Sequence, residues 1–426
     1  MIDRRSFIAA APGLAAAWRT RGAWAQATVD SAPALQRAID QARQGDGTVT
    51  IPAGVHYVSH LRITGDARLA GAGRSSRLVA IGAGPMLAID HADSVVIENV
   101  AFDGGRATGG EAGLIEARDV AEFSFVDCIV ERAGYGLKAE RCGGRIARTS
   151  FQDLSQSAIN SLDATGLSIL DNRIDGCGAN GIQVWRSAPG YDGAILRGNR
   201  IARIRADPGG DGPYGNAISV FRAGGVSCTG NVIREAAFSA IRFNSGSDAL
   251  ISDNSCVDIG ETAIYVEFGF QGAVVSANVV DGASTGISVT NFDQGGRLAA
   301  VTGNVTRNLT RKLPQGGDIY GIGIHVEADT VVNGNAVDNA AFAGLKLGYG
   351  IGLRDVVAAD NVLGDCGFGV VVSVAPGAGG ATIRDNRIRA RHGAIVGMAW
   401  DAVVSADLVK DAAKYPLLTI SGNEAG

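Results

Sequence analysis

Ala249–Cys256 reads ALISDNSC, and the frame it sets recurs along the chain: an apolar or small residue three places before an asparagine and another two places after it. The same frame stands at Leu167–Ile174 (LSILDNRI), Ala273–Val280 (AVVSANVV) and Ala381–Ile388 (ATIRDNRI). Its asparagines are Asn172, Asn199, Asn231, Asn254, Asn278, Asn304, Asn335, Asn361 and Asn386, at spacings of 23 to 32 residues. A repeat of that length marks a solenoid in which each unit is one coil.

Within a unit, period-two alternation around the asparagine indicates two short strands with one buried face each. Ile169, Leu196, Cys228, Ile251 and Val275 form one inward column, and Ile174, Ile201, Ile233, Cys256 and Val280 another. The residue before each asparagine is Asp, Gly or Ala, which suits a tight bend. A further strand follows downstream, as in GIQVW (Gly181–Trp185), AISVF (Ala217–Phe221), AIRFN (Ala240–Asn244), AIYVE (Ala263–Glu267), GISVT (Gly286–Thr290) and GIHVE (Gly323–Glu327). Three short strands per coil, with no helical period between coils, predict an all-β fold, a parallel β-helix of roughly 12 coils and ~55–60 Å length. Stacked from coil to coil, the asparagines form an internal ladder that satisfies polar groups the core would otherwise strand.

The composition fits a chain that bends several times per coil: 61 of 426 residues are Gly and 6% are aromatic. No run of 18 apolar residues is present, so no span of a membrane is expected. The net charge is −5, with no basic run, which argues against nucleic acid as a partner. Six cysteines, Cys128, Cys142, Cys177, Cys228, Cys256 and Cys366, include several at inward columns, so buried free thiols are expected rather than disulfides. No C-x-x-C spacing suggests zinc, no other metal site or cofactor is evident, and no calcium site is legible.

Residues 1–25 read as an export signal. Arg4-Arg5-Ser6-Phe7-Ile8 precedes a weakly hydrophobic stretch, and Ala23-Trp24-Ala25 has the form of a cleavage site. The segment resembles a twin-arginine signal, which implies the twin-arginine export machinery as a partner and a periplasmic or secreted protein. Its removal takes away Arg4, Arg5, Arg19, Arg21 and Asp3, leaving 34 basic against 42 acidic residues, a balance of −8.

Residues 26–426 are read as one domain. Residues 30–44 have helical spacing, with Leu35, Ala38, Ile39 and Ala42 on one face, and GTVTIPAGVHYV (Gly47–Val58) follows. This combination, with a strand ending Leu69-Ala70-Gly71-Ala72-Gly73, resembles the start of right-handed β-helix proteins of the pectate-lyase-like superfamily. The resemblance implies a right-handed parallel β-helix whose helix caps the open end of the rod. With the paired arginines, the chain also resembles the twin-arginine-translocated repetitive β-helix proteins. Near the other end, residues 401–416 interrupt the last repeat with an expected helix before Leu417–Asn423 (LLTISGN) resumes it.

Function on such a rod comes from outward side chains on one sheet, walled by longer loops. The third strand of each coil exposes Gln183 and Trp185, Ser219 and Phe221, Arg242 and Asn244, Tyr265 and Glu267, Ser288 and Thr290, His325 and Glu327, then Lys346. Arg186 and Arg222 follow two of these strands directly. The two longest repeats carry Gly209-Gly210-Asp211-Gly212-Pro213-Tyr214-Gly215 and Gly316-Gly317-Asp318-Ile319-Tyr320-Gly321 just before that strand. These loops are expected to wall a cleft, with Asp211 and Asp318 either meeting ligand or serving only as turn residues.

The expected chemistry is modification of a polysaccharide, of lyase or C5-epimerase type on an anionic polymer. His325 or Tyr265 withdraws a proton beside a sugar carboxylate, while Arg242 and Lys346 stabilise the developing charge. Glu267 and Glu327 offer hydrolysis instead, although two coils set them ~9–10 Å apart. Trp185, Phe221 and Tyr265 suit stacking on sugar rings, and Arg186, Arg222 and Asn244 suit polar contacts. The Asn-Thr-Asp, Asp-Asp, Gly-His-Gly and Arg-Ile-Lys set of polygalacturonases is absent; Arg391-His392-Gly393 and Arg203-Ile204-Arg205 come nearest. A non-catalytic carbohydrate-binding or envelope-structural protein is the alternative.

Overall fold

The computed structural model describes residues 29–42, 48–106, 110–209, 212–313 and 320–426. The expected signal at 1–25, Asp211 and Asp318 lie outside the described residues.

The strands stack as the repeat predicts, in three parallel sheets that run the length of the rod. The first sheet holds the strands before each asparagine, such as Ala249–Ser252, and the second those after it, such as Ser255–Ile259. The third holds the downstream strands, such as Ile241–Asn244 and Thr262–Glu267. One inward column of the third sheet passes from Leu61 and Leu87 through Ile241, Ile264 and Ile287 to Val370 and Ile395. The rod has about 13 turns, in line with the expected roughly 12, and the early coils contribute rungs without carrying an asparagine.

The ladder is continuous. Asn254 shows its unit: the Asn231 backbone N–H and Nδ2 donate to Asn254 Oδ1 at 3.0 and 2.9 Å, and Asn254 Nδ2 donates to Cys228 O and Asn278 Oδ1. Every polar group of the buried amide is thereby paired. Thr149 receives the same contact from below, since its N–H donates to Asn172 Oδ1, and Asn423 extends the series beyond Asn386. The bend before each asparagine is left-handed. Asp171, Gly198, Asp253, Ala277, Gly303 and Asp385 have φ between 53° and 68°, a region that Gly enters freely and that Asp tolerates.

The helix Ala32–Ala42 covers the first coil with Ile39 buried and Leu35, Ala38 and Ala42 packed on the core. Asp30 caps it, accepting from the Ala32 N–H at 2.9 Å and the Ser59 hydroxyl at 2.6 Å. The expected helix at 401–416 does not form. Ala402–Ser405 folds back antiparallel onto Arg387–Ala399, and only the turn Ala412–Lys414 is helical, in 3-10 form. The Val403-Val404 pair favours the strand, and the pairing covers the outermost edge of the third sheet. All six cysteines are free and buried. No helix among the described residues is long and apolar enough to cross a membrane.

Candidate active site

The third sheet brings the expected residues into one outward column. Gln183, Ser219, Arg242, Tyr265, Ser288, His325 and Lys346 are register partners on successive rungs, and Trp185, Phe221, Asn244 and Glu267 form a parallel column. This outward face is not bathed in water. Gln183, Ser219, Glu267, Ser288, Thr290 and Lys346 are buried, while Arg242, Tyr265 and His325 are partly exposed.

One stretch of the face opens into a cavity of about 590 Å³ lined by Trp185, Gly212, Pro213, Tyr214, Ser219, Phe221, Arg242, Asn244 and Phe268. The loop ahead of Ser219 therefore walls the cleft, as expected, through Gly212-Pro213-Tyr214. The opposite loop, 314–319, lies outside the described residues. Trp185 and Phe221 meet edge to face with centroids 6.2 Å apart, and the Trp185 indole N–H donates to the Ser219 hydroxyl at 3.1 Å. Tyr214 belongs to the expected wall loop although the sequence did not single it out, and Phe268 was missed: it is turned outward by a left-handed backbone, φ 60°, that alternation alone does not reveal.

Arg242 closes the cleft floor. Its Nε donates to Glu267 Oε1 at 2.6 Å, its Nη1 donates to Gly212 O at 3.0 Å, and its guanidinium lies 5.2 Å from the Tyr265 ring centroid. Asn244 Nδ2 donates to the same Glu267 oxygen at 3.0 Å. Burial works against the arginine's charge, but the Glu267 hydrogen bond and charge outweigh it and hold its pKa above the ordinary value. Burial, with the Glu267 charge, raises the Tyr265 phenol well above its usual range, so it stays protonated.

Farther along, His325 and Lys346 sit on neighbouring rungs. The His325 Nε2 is buried and without a partner among the described residues. Burial, aided by the Lys346 charge, pushes its pKa well below 6.5, so the imidazole is neutral. Lys346 is lowered by burial and partly restored by Glu327 and Asp401, and its Nζ lies 4.5 Å from the Tyr349 ring centroid. Glu327 is raised by burial, although its Oε2 accepts from the Phe292 N–H at 2.7 Å. Arg186 turns into the corner, donating to Ala164 O at 3.2 Å and lying 3.8 Å from Asp192. Arg222 lies over the Phe221 ring at 4.6 Å and donates to Ser187 O. Arg186 and Arg222 thus brace the corner behind Trp185 and Phe221 and are not among the residues lining the cleft.

Residues 112–298 match the family model described as right handed beta helix region. Among solved structures, a mannuronic acid specific polysaccharide family 6 lyase from human gut microbiota is similar at 14% identity, TM-score 0.53, over 93% of this chain and 89% of that one. The chain is a right-handed parallel β-helix. The pre-mature bacteriophage phi29 gene product 12 is also similar, at 14% identity and TM-score 0.54, over 87% of this chain and 53% of the other. No curated protein matches the sequence. A β-helix shared by a lyase and a phage protein fixes the scaffold, and activity has to be argued from the side chains on its third sheet.

Proposed function

We propose that this β-helix binds a polysaccharide along its third sheet and modifies it by proton abstraction beside a uronate carboxylate, as a lyase or C5-epimerase. The observation that carries the reading is the cleft itself: aromatic walls at Trp185, Tyr214, Phe221 and Phe268, with Arg242 at the start of an outward polar column that runs on to Lys346. Aromatic faces with a few fixed polar groups suit a pyranose chain. A mannuronic acid specific lyase is built on the same scaffold over nearly its whole length, which supports the reading.

In this reading the polymer is seated in the cleft beside Arg242 and a sugar lies against the partly exposed Tyr265 and His325, which stand one rung to either side of buried Ser288. Neutral His325 takes the proton from the carbon bearing the carboxylate, and the Lys346 ammonium faces the charge that develops there. For elimination, the carbon–oxygen bond at the neighbouring carbon breaks as the double bond forms, and Tyr265 gives its proton to the departing oxygen. For epimerisation, a proton returns to the same carbon from the opposite face. Hydrolysis by Glu267 and Glu327 is disfavoured because Glu267 is held by both Arg242 and Asn244.

The test is incubation of purified protein with alginate, pectate and bacterial exopolysaccharides, following absorbance from unsaturated ends, new reducing ends and C5 inversion by NMR. Activity lost in His325→Gln and Tyr265→Phe supports the assignment; full activity in both sinks it. We further propose export through the twin-arginine route. A reporter fused to residues 1–30 that reaches the periplasm only while Arg4 and Arg5 are intact supports this; export of an Arg4→Lys/Arg5→Lys fusion at the normal level refutes it.

A further inference from the structure

On the second sheet, around the corner from the cleft, a groove of about 300 Å³ is lined by Arg173, Asp175, Arg200, Arg203, Arg234 and Glu235. Arg173 and Arg200 are register partners on adjacent rungs, and Arg234 stands one rung farther, opposite Ala202. Asp175 holds two of the four cations, Arg203 at 2.7 Å and Arg173 at 3.8 Å. Arg200 and Arg234 are exposed and have no carboxylate partner among the described residues. A chain whose net charge is −5 thus concentrates free guanidinium groups in one groove.

We propose that this groove is an ancillary binding surface for a linear acidic polysaccharide, separate from the cleft that binds and modifies it. Resting on the polysaccharide reading above, the inference names the polymer as polyanionic and gives it a second point of attachment. Arg173 and Arg200 follow the rod axis at the strand spacing of ~4.8 Å, comparable with the length of one pyranose unit, and Arg234 continues the set one rung farther and two residues along its strand, so carboxylates spaced along a polymer meet guanidinium groups in turn. Arginine's planar fork suits carboxylate bidentately. A single phosphate headgroup calls for cations converging on one point, and these are spread over three rungs. Arg203 also leads through the Arg205–Asp207 pair into the loop whose Gly212-Pro213-Tyr214 walls the cleft, so groove and cleft are two sides of one connection.

The test measures binding of labelled polymannuronate and polygalacturonate oligomers, a neutral glucan oligomer and anionic phospholipid vesicles. Wild type is compared with Arg200→Ser/Arg234→Ser and with Phe221→Ala over a range of salt concentrations. The proposal expects the double arginine variant to lose at least tenfold in polyuronate affinity and most of the salt dependence, at unchanged melting temperature. Equal polyuronate affinity in wild type and double variant overturns it, as does wild type that binds vesicles but no polyuronate. Loss in Phe221→Ala alone removes the groove and leaves the cleft reading standing; loss in the arginine variant alone supports the groove and removes the cleft.

Discussion

Arg242 and Glu267, partners on adjacent rungs of the third sheet, are joined at 2.6 Å with both side chains nearly inaccessible, 11% and 2% exposed. The pair is part of the cleft floor and of the scaffold at once. Removing Glu267 leaves the buried Arg242 with only the longer ion pair to Glu261 at 3.9 Å, which costs about 3 kcal/mol. Glu267→Ala is therefore expected to lower thermal stability strongly, and Glu267→Gln, which still accepts a hydrogen bond, clearly less. Both variants lack the charge, so equal melting temperatures, measured by calorimetry, would show that the hydrogen bonds accepted at this position add nothing to stability.

Asn254→Ala strips four hydrogen bonds from the ladder and orphans the Asn231 N–H in the core. The expected loss is about 2–4 kcal/mol, since unsatisfied buried groups carry their full desolvation cost. Activity per folded molecule stays unchanged. Denaturant unfolding with an assay on the folded fraction checks both; lost activity at unchanged stability would make the ladder a functional element.

Ala277 occupies a left-handed bend, φ 54°, at a repeat position filled elsewhere by Asp or Gly. The backbone there costs an alanine roughly 1–2 kcal/mol, more than the entropy a glycine adds to the unfolded chain. Ala277→Gly is expected to stabilise the protein by about 0.5–1 kcal/mol. A lower melting temperature for Ala277→Gly contradicts the conformational argument.

His325 has a folded pKa below 6.5, chiefly through burial and secondly through Lys346. The unfolded chain binds its proton first, so the stability this neutral imidazole permits is complete above 6.5 and is lost as pH falls from there through the folded value. His325→Gln is expected to flatten the fall in melting temperature between pH 7 and 5. The same sign applies to catalysis: with neutral His325 as base, kcat/KM has its acid limb below 6.5, and its alkaline limb follows loss of the Lys346 ammonium, lowered by burial, before the raised Tyr265 phenol ionises. An acid limb above pH 7 excludes His325 as the base.

The asparagine frame identified the strands, the inward columns and the outward register from Gln183 to Lys346, because period-two alternation and a fixed coil length leave little freedom in a parallel stack. The same reasoning failed at Ala402–Ser405. Its isolated apolar run suits helix or strand equally, and pairing with Gly397–Ala399 decided the matter. It also missed the coverage of the third sheet. Ser288, Thr290 and Glu267 alternate as surface residues do, yet they are buried, Glu267 against Arg242 and Asn244 of the neighbouring rung.

The sequence by itself determined the solenoid, its ladder and which side chains share a face, since these depend on local periodicity repeated coil after coil. Only the tertiary structure decided what that face is worth chemically. The burial of Arg242 with Glu267, the protonated Tyr265, the neutral His325 and the closure of the cleft by Tyr214 and Phe268 arise from desolvation and charges contributed by neighbouring coils and loops. Those terms depend on which atoms lie within a few ångströms, and no spacing along the chain encodes that.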